Sequence, residues 1–154
     1  MAGTTTAVCD TFKAELGTAT HNFTITTGNV FKIALVKVSP TGTYGHATTN
    51  YSDLTGNSDE VANGNGYTTG GFAWTAAQNL TPVVNGGQGC YSWSVNPSWT
   101  SASFSTTGGI IYNSSSSNKA TSVYDFGGTQ TVTSGTLTLT LPAQTANNAI
   151  IQIR

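Results

Sequence analysis

Apolar and polar positions alternate in short runs along this chain, and Gly, Ser, Asn and Pro cut the runs apart. The clearest run is residues 136–141. Leu137, Leu139 and Leu141 fall on one face, and Thr136, Thr138 and Thr140 on the other. A period of two is strand geometry; a helix would scatter those leucines around its surface. Pro142 ends the run, because it has no N–H to give to a ladder. Ala149, Ile151 and Ile153 form another apolar row, opposite Ile150, Gln152 and Arg154. Residues 106–154 as a whole read as successive strands.

The same pattern extends upstream. In residues 30–38, Phe31, Ile33 and Leu35 share one face, while Val30, Ala34, Val36 and Val38 share the other with Lys32. Both faces are largely apolar, which predicts a central strand covered on both sides. Residues 22–26 predict a partner strand across a turn at Thr27-Gly28-Asn29. Gly70-Gly71 predicts a bulge or a close backbone approach inside a strand over residues 67–75. Further short strands are expected at Val83-Val84, 90–95 and 101–105. One helix is expected, Asp10–Leu16, with Asp10 as N-cap and Gly17 just past its end. Cys9, Phe12 and Leu16 make its narrow apolar stripe, and two turns cannot stand alone, so the stripe must lie on a sheet. About nine strands at a spacing of roughly ten residues predict an all-β fold, a single β-sandwich or jelly-roll-like domain. The domain is read as residues 9–154, with an N-terminal arm at 1–8.

Composition sharpens this picture. Hydrophobic residues are 37% of the 154, enough for a core. Charged residues are 7%, against a usual ~25%. Roughly a fifth of the chain is Thr, which suits solvent-facing strand positions. A net charge of −1 with scattered Lys13, Lys32, Lys37, Lys119 and Arg154 argues against nucleic acid, which needs Lys and Arg to replace phosphate counterions. No run approaches the ~18 apolar residues of a membrane helix, so no membrane partner is expected. Residues 1–8 lack the basic start and apolar core of a signal peptide. A nearly uncharged surface keeps a free monomer soluble poorly, so a homo-oligomer stands beside the plainer reading of a Thr-rich β-protein. The arm is either a frayed terminus or a contact with a neighbouring subunit or shell, through Ala2, Thr4, Thr5, Thr6 and Val8. Cys9 and Cys90 do not make a disulfide framework; reduced, buried thiols are expected, with one bridge as the alternative.

Candidate chemistry is sparse. Residues 39–66 form the least regular segment and hold Asp53, Asp59 and Glu60. Oxygen ligands in a Gly-rich loop suit Ca²⁺, but their spacing is not that of an EF-hand, and loop acids are more often simply solvated. His21 and His46 read as ordinary hydrogen-bonding residues. The chain has no nucleophile elbow, P-loop or Rossmann fingerprint, so no enzyme, cofactor or catalytic residue is expected. Trp74, Trp93 and Trp99, with Tyr44, Tyr51, Tyr67 and Tyr91, suit either a sugar-binding platform or a core or interface.

Several motifs carry a resemblance when taken in order. They are Phe12-Lys13-Ala14-Glu15-Leu16, His21-Asn22-Phe23, Phe31-Lys32-Ile33-Ala34-Leu35, Glu60-Val61 and Gly66-Tyr67-Thr68-Thr69-Gly70-Gly71. Ile110-Ile111-Tyr112-Asn113, Asp125-Phe126-Gly127 and Ala149-Ile150-Ile151-Gln152-Ile153 complete the set. This set resembles a family of small structural proteins of tailed bacteriophages and prophages, over nearly the whole chain. The resemblance implies a virion component made in the host bacterial cytoplasm. The role implied is a capsid decoration (cement) protein on the outer capsid surface, with the major capsid protein as partner, in a symmetric oligomer such as a trimer. A tail or fibre part, binding carbohydrate or a receptor, is the alternative. Residues 78–96 and the run Ser114 to Ser117 depart from the family pattern and lie in loops that would face a partner.

Overall fold

Phe31–Val36 carries apolar side chains on both faces, and such a strand is stable only inside a sheet with both faces covered. A computed structural model, describing residues 2–154, places it there. In chain order the elements are β1 (Gly3–Thr4), β2 (Ala7–Val8), α1 (Asp10–Leu16), β3 (Phe31–Val36), β4 (Thr43–Tyr44) and α2 (Ser52–Gly56). Then follow β5 (Phe72–Trp74), β6 (Val83–Asn85), β7 (Gln88–Tyr91), β8 (Ser98–Asn113), β9 (Lys119–Thr138) and β10 (Ile151–Ile153). Strand makes up 44% of the chain, mostly in antiparallel sheets. The main sheet has the order β2-β9-β8-β3-β5; β10-β7-β6 form a second sheet and β1-β4 a parallel pair.

The long hairpin β8–β9 dominates the fold. β3 pairs with only residues 108–113 of β8, and β2 with only Val123 and Ser122 of β9. The rest, residues 98–106 against 130–138, continues as a two-stranded ribbon broken by register shifts. Leu137 and Leu139 are half-buried and Thr136, Thr138 and Thr140 exposed, as the period of two requires. The ladder proper stops at Thr138, with Leu139 N–H still donating to the Pro97 carbonyl at 2.9 Å.

Three local expectations are corrected. Residues 22–26 form no strand; 22–24 are irregular and a turn runs through 25–27. Asn22 Oδ1 accepts from Thr24 N–H, Asn29 Oδ1 from Asn22 N–H, and Gly28 N–H donates to the Thr24 carbonyl. Asparagine side chains that bond nearby backbone compete with a ladder in this way. Helix α1 has the expected bounds, but Cys9 is its extended N-cap residue, and Gly17 stays right-handed at φ −67°. α2 is a second helix inside the irregular segment.

Gly70 and Gly71 both have positive φ, and they precede β5 rather than interrupting it. A Cβ on Gly71 would stand 1.9 Å from the Ile33 carbonyl oxygen, so the close approach is real and only glycine permits it. Residues 2–8, read as an arm, are tied to the chain's own body; Met1 lies outside the described residues. Gly3 N–H donates to the Gly42 carbonyl, Thr5 N–H to that of Tyr44, and Asp125 N–H to Thr6 Oγ1. The Thr4 side chain fills the space above Gly108, where a Cβ would come within 2.8 Å of it. Ala2, Thr5 and Thr6 remain exposed, while Thr4 and Val8 are half-buried.

The core is aromatic-rich. Trp74 and Trp93 stack at 4.5 Å, Phe23 and Phe31 at 4.5 Å, and Tyr51 and Tyr112 at 4.5 Å. Among the described residues, no helix is long and apolar enough to cross a membrane.

Candidate functional site

The three acidic residues of the irregular segment go to three different places. Asp59 turns inward, and its side chain is fully buried. Its carboxylate accepts from Thr41 N–H at 2.9 Å, Gly42 N–H at 2.7 Å and Tyr44 Oη–H at 2.7 Å, with Lys37 Nζ at 3.0 Å. Burial pushes its pKa up, but the Thr41 and Gly42 amides, the Tyr44 hydroxyl and Lys37 outweigh burial. The carboxyl is held well below the usual range and stays ionised. Burial and the Asp59 bond push the Tyr44 hydroxyl up to about 12, so it remains a donor.

Glu60 serves a second cluster. Its two oxygens accept from Tyr51 Oη–H at 2.5 Å, Tyr67 Oη–H at 2.7 Å and Gly70 N–H at 2.6 Å. Tyr67 Oη also accepts from Leu35 N–H at 3.0 Å, and Tyr112 Oη–H donates to the Gly70 carbonyl at 2.8 Å. Burial, then the Glu60 charge, raises all three tyrosine pKa values above their ordinary one. The Asp53 carboxylate bonds to neither cluster; it holds the start of α2 by accepting from Thr49 and Asn50 N–H. The weak metal candidate Asp53, Asp59 and Glu60 is therefore not one site. Among the described residues no group of three His, Cys, Asp or Glu is placed to hold a metal ion.

The histidines are similarly committed. The His21 side chain is buried; Nδ1 accepts from the Asn113 amide at 3.1 Å, so Nε2 carries the proton and donates to Glu15 Oε2 at 2.8 Å. Lys119 pairs with the other Glu15 oxygen. Burial lowers the His21 pKa despite the Glu15 contact, which keeps the ring neutral. His46 is exposed and bonds Asp10, which also pairs with Lys13. Neither ring is bonded to a hydroxyl or thiol that it could activate as a nucleophile.

The tryptophans form no exposed row. Trp74 is fully buried, Trp93 and Trp99 nearly so. The indole N–H of Trp74 donates to the Val95 carbonyl and that of Trp93 to Asn79 Oδ1. Cys9 and Cys90 are both free and buried. The two carboxylate clusters escaped sequence reading because their donors are tyrosines and loop amides many residues away. The only local signal was the density of Tyr, Gly and acid in residues 42–71.

One surface property remains. Residues 61–118 contain no Asp, Glu, Lys, Arg or His, and neither do residues 126–153. Those segments supply β5, β6, β7, β8, the outer part of β9, and β10. From Gly127 to Ser134, β9 is exposed at every residue except Val132. Set against family models, curated proteins and solved structures, the chain finds no match.

Proposed function

We propose that this chain is a non-enzymatic virion structural protein, a capsid decoration or cement protein that binds the outer shell and stabilises it. The observation that carries this reading is where charge lies. Nearly every Asp, Glu, Lys and His is tied into an internal cluster or helix end, and the outer ribbon and second sheet carry none of them. A Thr- and Ser-rich, charge-free surface makes many neutral hydrogen bonds with a lattice and strands no charge on burial. Repeated over a shell, such contacts hold through avidity. The partner is the major capsid protein, and the working form is a symmetric oligomer. The fold proposed is a jelly-roll-like β-sandwich. Supporting it, Leu137, Leu139 and Leu141 line one groove of about 410 Å³ together with Ile33 and Ile111 of the main sheet.

The test is cryo-electron microscopy of intact particles, with retention on shells measured across ionic strength. Density on the outer capsid surface, and retention that salt leaves unchanged, are expected. Density confined to the tail, or release by salt, rejects the reading. A second reading, a carbohydrate- or receptor-binding module, has one observation in its favour. Phe72, Trp99, Thr68, Ser98 and Thr100 line an uncharged groove of about 380 Å³. Glycan-array binding lost in Trp99→Ala would favour it.

A further inference from the structure

β6 is the free edge of the second sheet and its least covered strand: Val83, Val84 and Asn85 are all exposed, Val84 to 81%. The cause is local. Val84 stands opposite Gly89, which has no side chain to cover it. The hairpin closes through Gly86-Gly87, both left-handed, and pairs Asn85 with Gln88. In a two-residue hairpin that pair exchanges hydrogen bonds, as does Val83 with Cys90 two residues on. The residue between them, Val84, turns its N–H and C=O outward. Among the described residues no other group takes either one.

Natural edges are blunted by charge, proline or a bulge. β6 has no charge or bulge within its three residues, and Pro82, which directly precedes it and has no N–H, leaves Val84 as its one outward donor. Beside it, Phe23, Ile25, Pro82 and Tyr91 line a groove of about 420 Å³, and Ile25 is itself 45% exposed.

We propose that β6 is the edge through which two copies of this chain associate. They pair antiparallel about a two-fold axis at Val84, joining two three-stranded sheets into one. A second copy is the occupant for two reasons. Under a two-fold axis the Val84 N–H of each copy meets the Val84 C=O of the other, so a single residue's donor and acceptor satisfy each other. Charge also fits. No Asp, Glu, Lys, Arg or His lies in residues 61–118, and the one such residue lining the groove, His21, has its side chain buried against Glu15, so two such patches meet without like-charge repulsion or a stranded charge. The order proposed is two, where the resemblance implied a symmetric oligomer such as a trimer. Three residues per strand give a weak contact that a lattice would reinforce. The inference rests on the oligomer within the proposed function, and the experiment separates the two.

Sedimentation equilibrium of the full chain, over about two decades of concentration, compares wild type with Val84→Pro and Val84→Lys. Wild type is expected to show a monomer–dimer equilibrium, and both variants to dimerise at least about tenfold more weakly. Val84 is exposed, so both variants should keep the wild-type circular dichroism spectrum. Hydrogen exchange of the wild-type Val84 amide gives an independent reading: its protection should rise with protein concentration. A wild type that is monomeric throughout overturns the interface and the oligomer together. An oligomer that both variants leave intact, or a Val84 amide whose exchange ignores concentration, overturns the interface alone.

Discussion

Replacing Asp59 by Asn keeps the size of the side chain and removes its charge. The buried carboxylate accepts from the Thr41 and Gly42 amides, the Thr41 and Tyr44 hydroxyls and Lys37 Nζ. Whichever way an Asn amide points, its NH₂ meets one of them. Lys37 is partly exposed and can turn to water, so its share is about 1 kcal/mol at most. The other bonds are to a charged acceptor, at about 1.5–3 kcal/mol each. Losing two of them, with a donor left facing a donor, gives a destabilisation of about 4 kcal/mol, in line with breaking a buried charged set. For a chain of this length that lowers Tm by about 8–16 °C. The pH dependence has a definite sign. The folded-state pKa lies below the unfolded one, so as pH falls the unfolded chain takes up the proton first. The stabilisation is complete above the unfolded value of about 3.9 and is lost as pH falls from there through the folded value. Calorimetric melts from about pH 7 to about pH 3 should show wild type falling steeply below about pH 4, and the Asn variant falling less. A variant within about 1 kcal/mol of wild type at neutral pH, or one with the same acid slope, would refute the account.

His21 makes an acid response at higher pH. Its folded pKa is depressed by burial, so its contribution is present above the unfolded value of about 6.5 and is lost as pH falls below it. A His21→Gln variant should lose that part of the slope, and NMR titration should show the ring neutral below about pH 6.5. Gly71→Ala should fail to fold or lose more than about 3 kcal/mol, read from denaturant midpoints, because its Cβ would overlap the Ile33 carbonyl. Wild-type behaviour would show that the β3–β5 approach is looser than described. Burial, then Asp10, pushes the Cys9 thiol up to about 12. A thiol reagent in mild base should therefore react with Cys9 only on unfolding; rapid labelling of the folded chain contradicts its burial.

Periodicity settled much of this molecule from sequence alone. The alternation of Leu137, Leu139 and Leu141 with threonine, and the two-sided apolar strand Phe31–Val36, are properties of neighbouring residues, and the structure keeps both. Helix α1 kept its bounds because a short apolar stripe ending at Gly17 is likewise local. Where local preferences competed, sequence could not choose. Residues 22–26 alternate like a strand, yet Asn22 and Asn29 bond the nearby backbone and no strand forms. The carboxylates were beyond its reach for a different reason. Nothing in residues 53–60 tells whether an acid meets water or the amides of Thr41, Gly42 and Gly70, because those amides are brought in by loops that fold against β3. The same holds for the tryptophans, whose burial depends on β5, the 93–95 segment and β8 meeting across the chain. Sequence decides which side of a strand is apolar; only the tertiary structure decides what that side, or a lone polar group in a loop, finally meets.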